Sequence, residues 1–246
     1  MTSTPTWPIT RRAASGARGW DNQLWRLGDD LAVRAFAAGA EAQLTGRLGA
    51  CAGSCGPGHL HLINGLFDAQ RSMAPVLALA AHIPSAEIGT SFFQETHPDR
   101  LFAESSHYSE LISHPAQMPR ILQTAIQHAI GRSGVAVVSM SGDIAGQDAP
   151  QRTVEPALLT RRPVVRPGEA EIAELARLVD EAEKITRFCG SGTAGSHEEV
   201  MAFAERVKAP VGHALRGKEW IQYGNRNWPA SPPPPASSCS AAASAA

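Results

Sequence analysis

The sequence has no long apolar stretch. Its longest uninterrupted run, 76–81, is six residues, where a membrane-spanning helix needs about 20. No membrane segment is expected. It also has no excess of charge of one sign, with Lys+Arg 22 against Asp+Glu 23 and a net charge of -1. Affinity for phosphate backbones comes mainly from a basic excess, so no nucleic-acid partner is expected, and no acidic tail. Cysteine is sparse, at positions 51, 55, 189 and 239. Cys51 and Cys55 are four apart, which is neither a redox pair nor a zinc-knuckle spacing. They read as free thiols in a reducing cytoplasm rather than a disulfide framework. There is no G-x-S-x-G elbow, which weighs against an α/β-hydrolase, and no internal repeat of fixed short period.

What is present fits a soluble globular chain. The apolar share of 43% is ordinary. At about 150 residues per domain, the 246 residues allow one large domain or one and a half. The ends differ from the middle. In 1–28, Arg11, Arg12 and Arg18 precede the first acid, Asp21. No apolar stretch follows Arg12, so an export signal is not expected, while a transit peptide stays open. At 225–246, four consecutive prolines lead into Ala and Ser with one Cys. That composition cannot build a packed core. Both ends are expected to be poorly ordered.

Between the ends, strand and helix signals alternate. The Ala-rich stretch 31–44 reads as a helix, and 48–52 is a short apolar run entering the glycine turn Gly53–Gly58. Leu60, Ile63, Leu66 and Phe67 recur at helical spacing, and 75–81 reads as a buried strand. Met118 to Ile130 keeps a helical stripe that stops at Gly131, and 135–140 is a second buried strand. The stretch 146–167 holds Pro150, Pro156, Pro163 and Pro167 without periodicity and reads as a linker. Beyond it lie a helix stripe (Ile172, Leu175, Ala176, Val179), a strand at 185–189, a helix at 196–208 and a strand at 210–215. This alternation predicts a doubly wound parallel α/β sheet over 29–145 and an incomplete second α/β unit over 168–224.

Three clusters are candidates for chemistry. Gly190-Ser191-Gly192-Thr193-Ala194-Gly195 is a GxGxxG between a predicted strand and helix, a place where backbone N–H groups can meet a phosphate. The ribose-binding acid expected at the end of the next strand is absent. Arg216 and Lys218 stand there instead and would suit an extra phosphate, with Glu219 later. A tight structural turn explains the pattern equally well. The second cluster is the Gly53–Gly58 turn with His59 and His61. Two apart on a helix, these histidines diverge and cannot face one metal. The third is Phe92-Phe93-Gln94-Glu95-Thr96-His97. It reads either as a pocket lining or as a helix cap at Thr96 and Asp99 with a buried aromatic anchor.

The run from Ala35 to Pro98, with SCGPGHLHLINGLFD and SFFQETHP inside it, closely resembles the thiamine-diphosphate-dependent enzymes. Within them it is most similar to the quinone-linked pyruvate dehydrogenases (pyruvate oxidases) of bacteria. CGSGTAGSHEE and KAPVGHALRGKE extend the likeness to Gly224. The resemblance implies a pyrimidine-binding domain and the opening of a flavin-binding middle domain. It implies that Pro57 and His61 border the cofactor's aminopyrimidine; relatives with a GPGxxN form carry Asn where His61 stands. It implies that Phe93 and Gln94 reach an active site across a dimer interface, and that Gly190 and Gly192 lie near FAD. The implied chemistry is decarboxylation of pyruvate or a similar 2-oxo acid, with two electrons passed to FAD. The family works as a homo-oligomer.

Two departures accompany the likeness. The family's R-H-E motif places its catalytic Glu where Leu31 stands, and Leu31 can neither accept nor donate a proton. The likeness also stops upstream of that motif and after Asn225. The diphosphate domain, its Mg2+ site and the terminal membrane-binding segment are expected to be missing, as if by frameshift or gene decay. The expectation is a truncated, inactive, cytoplasmic oxidoreductase. The alternative is a small FAD- or NADP-binding protein without thiamine chemistry.

Overall fold

A computed structural model describes residues 31–148 and 163–225. The two terminal segments and most of the linker therefore lie outside the described residues. The chain divides into two compact units at Val164.

The first unit is built on a four-stranded sheet of order β1-β2-β4-β3, parallel throughout. The strands are β1 (Gly49–Gly53), β2 (Val76–His82), β3 (Tyr108–Ile112) and β4 (Val135–Ser141). Parallel strands need crossovers, and those covering the sheet are helical. Helices α1 (Leu31–Thr45) and α3 (Ile63–Arg71) share a core with Cys51, Val76, Ala78, Val135 and Val137. Helix α5 (Met118–Gly131) packs with Leu77, Ile112, Ala136 and Val138. Neighbours in sequence, such as Leu77 and Ala78, thus belong to opposite faces, as the two-residue period of a strand requires. Helices cover both faces, which is the doubly wound arrangement, and explains why β2 and β4 are continuous apolar runs.

The Ala-rich composition of α1 has a packing reason. Ala35, Ala38 and Ala42 are buried where α1 crosses α3. A Cβ on Gly65 of α3 would stand 2.5 Å from the Ala35 Cβ and 2.6 Å from the Phe36 nitrogen. Only small residues permit that approach. Short helices α2 (Pro57–Leu60), α4 (Pro98–Leu101) and α6 (Gly142–Ala145) follow β1, β2 and β4. Strand β3 carries no apolar run, Tyr-Ser-Glu-Leu-Ile, and was not legible as a strand. It pairs with β4 alone, at the edge of the sheet.

In the second unit, β5 (Arg187–Cys189) and β6 (Val211–His213) form a two-stranded parallel sheet. The crossover is α8 (His197–Val207), and α9 (Lys218–Ile221) follows β6. Cys189, Val200, Ala204, Val211 and Ile221 make its core. Arg187 donates to the Val200 carbonyl at 2.8 Å and lies over the Phe203 ring. Helix α7 (Glu169–Glu181) forms where the stripe predicted one, yet none of its residues is buried. Ile172, Leu175 and Leu178 stand exposed. Both strands are shorter than the apolar runs that announced them.

Candidate functional site

All four strands of the first unit point the same way, so their carboxyl ends share one edge. The registers Gly53↔Ala80, His82↔Ser141 and Ile112↔Met140 align those ends closely. Ligands of open parallel sheets bind outside this edge. Two segments emerge there side by side, the glycine turn after β1 and residues 83–97 after β2.

Their meeting point is Gly56 against Gln94. Gly56 has φ 60, and a Cβ on it would stand 2.6 Å from the Gln94 Cβ and 3.0 Å from the Gln94 backbone. Glycine is therefore required twice, for conformation and for space. The Cys55 thiol donates to the Gln94 side-chain oxygen at 3.4 Å. Gln94 itself is left-handed at φ 68, as is Ser91 at φ 62. Non-glycine residues pay for that backbone, and such strain concentrates at functional segments. Glu95 braces the bend by accepting from the Gly89 and Phe92 amides at 2.5 and 3.2 Å. Those hydrogen bonds hold its carboxyl below the usual carboxylate range.

Of the residues picked from the sequence, Pro57, His61, Phe93 and Gln94 are all exposed. The interlocked turn and bend bring their two segments together at the carboxyl edge. Phe93 is 81% exposed and Phe92 43%, so neither is the buried anchor of a helix cap. The buried aromatic is Phe102, just after α4. The N-cap of α4 is His97, with no side-chain cap hydrogen bond. The two turn histidines do diverge: His61 faces solvent while His59 is fully buried.

The resemblance assigns no role to His59, whose partners lie 22 and 37 residues away. Its Nδ1 lies 2.9 Å from the Ala81 carbonyl and its Nε2 lies 2.7 Å from the Thr96 hydroxyl. Burial, helped by the nearby His82, pushes its pKa below the ordinary histidine value. His82 is likewise buried, its Nδ1 accepting from the Ile83 amide at 2.8 Å. Burial and then His97 lower it, against Glu95 and Asp99. On the same edge, Ser85 donates through its amide and its hydroxyl to Asp143 at 2.9 and 2.5 Å. This ties the exit of β2 to the exit of β4. A hollow of about 530 Å³ lined by His114, Pro115, Ala116, Gly146, Gln147 and Asp148 includes none of the predicted site residues.

In the second unit, Gly190 to Gly195 follow β5 and lead into α8. Cβ atoms added at Gly190 and Gly192 would meet nothing within 4 Å, so packing does not demand glycine at either. The turn is a short 3-10 helix at Ser191–Thr193. The amides of Thr193, Ala194 and Ser196 are spent on carbonyls inside the turn, and Glu198 and Glu199 open α8. Spent amides and two carboxylates weaken the turn as an anion cradle. Arg216 and Lys218 stand exposed after β6.

Residues 32–101 match the family model described as thiamine pyrophosphate enzyme, N-terminal TPP binding domain. Residues 172–243 match the central domain of the same enzymes. The chain belongs to the thiamine pyrophosphate enzyme family. The first match contains the whole glycine turn and the Phe93-Gln94 bend. The second runs on past Asn225, where the sequence reading ended the likeness. An uncharacterized 42.6 kDa protein of Pseudomonas amyloderamosa is 55% identical over 192 residues, 78% of this chain and 48% of that one. A pyruvate oxidase of Lactiplantibacillus plantarum is 32% identical over 181 residues, 73% of this chain and 30% of that one. An acetolactate synthase of Arthrospira platensis is 33% identical over 190 residues, 75% of this chain and 33% of that one. The chain thus spans about half of the first relative and about a third of the other two.

The side chains exposed at the carboxyl edge are compatible in chemistry with a flat, polar-edged heterocycle. Pro57, Leu60 and Phe93 offer exposed apolar surface to a flat heterocycle, and Gln94 and His61 offer polar groups. Among the described residues, no three His, Cys, Asp or Glu side chains gather so as to hold a metal ion. Also among them, no helix is long and apolar enough to cross a membrane.

Proposed function

We propose that this chain is the pyrimidine-binding part of an oxidoreductase related to the quinone-linked pyruvate dehydrogenases. In such an enzyme pyruvate, water and an electron acceptor become acetate, CO2 and the reduced acceptor. The observation that carries the reading is the interlock of Gly56 with Gln94, which sets Pro57, His61 and Phe93 around one exposed edge. Thiamine diphosphate, when bound, supplies the electron sink for decarboxylation. Pro57 and Phe93 would shield the pyrimidine from water, while the Gln94 amide and the His61 imidazole would orient it. A partner copy completing the site fits the outward direction of Phe93. FAD would fall to the second unit, beside Gly190 and Gly192.

The chain on its own is expected to be inactive. Leu31 stands at the position of the family's catalytic Glu, by the resemblance above. Loss of a positioned acid–base group costs about 10²–10⁴-fold. Within α1 the next acid, Glu41, is about three helical turns further on. Weak binding of the cofactor through its pyrimidine end is expected. The test supplies the purified chain with thiamine diphosphate, Mg2+, FAD and pyruvate, and follows cofactor binding and CO2 release. Thiamine-dependent CO2 release, abolished by omitting Mg2+, would contradict the inactivity. Bound flavin without any thiamine response would favour a dinucleotide-binding protein instead.

A further inference from the structure

We propose that His59 is a positioning residue for the candidate thiamine site: its buried ring latches residues 89–97 to the glycine turn and so keeps Gln94 against Gly56. The inference rests on the thiamine reading for what the site binds, and on this chain's own contacts for the latch.

A carbonyl oxygen only accepts, so the ring nitrogen facing Ala81 at 2.9 Å must donate. In a neutral imidazole the other nitrogen then accepts, here from the Thr96 hydroxyl at 2.7 Å. One fully buried side chain just past the glycine turn therefore ties the end of β2 to the bend that carries Gln94. Its orientation is fixed from the side by Phe102, whose ring stands edge-on with centroids 5.8 Å apart. A Cβ on Gly53 would stand 2.7 Å from the His59 Cα, so the backbone beneath the ring is pinned as well. Glu95 braces the bend from within, and besides His59 the side-chain hydrogen bond from the turn to it is that of Cys55 with Gln94. Ser91, Phe92, Phe93 and Gln94 are all exposed, and two of the four have left-handed backbone. Without a tether, a strained exposed bend has reason to relax.

Protonating His59 would put a charge beside His82 in a buried place, while the Thr96 hydroxyl, which can accept as well as donate, would keep its hydrogen bond to the ring. The titratable groups around it are His82 on β2 and, further out around His82, His97, Glu95 and Asp99. His59 is depressed below its ordinary 6.5.

The test measures amide hydrogen exchange of residues 89–97 in the full chain, with Thr96→Val and Thr96→Ser as variants. Valine keeps the shape and deletes the hydroxyl; serine keeps the hydroxyl. The expected result is faster exchange at the bend by roughly fivefold in Thr96→Val, the effect of one lost hydrogen bond. Thr96→Ser should restore protection, and β2 and β4 amides should be unchanged in both. Equal protection in all three proteins, or equal loss in both variants, would overturn the latch. A parallel titration of the unsubstituted chain with thiamine diphosphate, followed by NMR, keeps the two ideas apart. A latch without any shift at 53–61 and 89–97 would overturn the cofactor reading alone. Shifts there, with a bend indifferent to Thr96, would overturn the latch alone.

Discussion

The two units use the same grammar and differ in how much of it is enclosed. In the first, a four-stranded sheet is covered on both faces, and Val76, Ala78, Val135 and Val137 are almost wholly removed from water. In the second, a two-stranded sheet has a small core, and α7 presents Ile172, Leu175 and Leu178 to solvent. A sequence period of 3.6 identifies a helix and the direction of its apolar stripe. It does not say whether anything within reach covers that stripe. Burial on both faces belongs to the unit in which β2 and β4 have neighbours on either side.

That contrast can be broken most forcefully by truncating one leucine in each unit. Leu66 is fully buried between α1 and the sheet, and Leu66→Ala should cost about 2–5 kcal/mol. Leu175 on α7 is 61% exposed, and Leu175→Ala should stay within about 0.5 kcal/mol. Urea unfolding followed by residue-resolved NMR would separate the two. A large loss at Leu175 would mean that its stripe is covered in solution.

A pair of glycines sharpens the comparison. Gly56→Ala meets both a left-handed backbone and the Gln94 side chain. The conformational part alone is about 1–3 kcal/mol, and the bend should be displaced. Gly192 has open space above it, so Gly192→Ala should be neutral within about 0.5 kcal/mol. Equal effects by thermal melting would contradict the close approach at Gly56.

Acid should act on the first unit in two steps. His59, His82 and His107 are all lowered from 6.5, chiefly by burial. Groups depressed in the fold stabilise it above their unfolded pKa and lose that contribution as pH falls through the folded value. Stability should begin to fall below pH 6.5. A second, smaller loss should come below about 4.5, where Glu95 and Asp143, lowered by their hydrogen bonds, take up protons. A flat stability profile between pH 7 and 5 would contradict the histidine burial.

The smallest effect is chemical. Burial pushes the Cys51 thiol up to about 12, whereas Cys55 is half-buried at the turn. In a Cys239→Ala background, iodoacetamide at pH 8 should modify Cys55 well before Cys51, as read by peptide mass spectrometry. The reverse order would mean that β1 opens readily.

The legible parts of the fold were those with dense local signals. The apolar runs of β2 and β4 and the stripe of α5 each decide their own structure within a few residues. Strand β3 was invisible because an edge strand with Ser109 and Glu110 in it needs no apolar run, only the free side of β4. At the site, the glycine turn and the Phe93-Gln94 bend stood out because their residue types are unusual together. That they touch did not, since Gly56 and Gln94 are far apart in sequence. The role of His59 is not legible from the turn alone, because its partners, Ala81 and Thr96, belong to other elements.

The central claim is that the carboxyl edge of the first unit, and not the glycine turn of the second, receives the thiamine cofactor. Titrating the 15N-labelled chain with thiamine diphosphate and Mg2+ tests it directly. The account predicts saturable shifts at residues 53–61 and 89–97, lost in Gly56→Ala. Shifts confined to residues 190–195, or none at the Gly56–Gln94 contact, would contradict it.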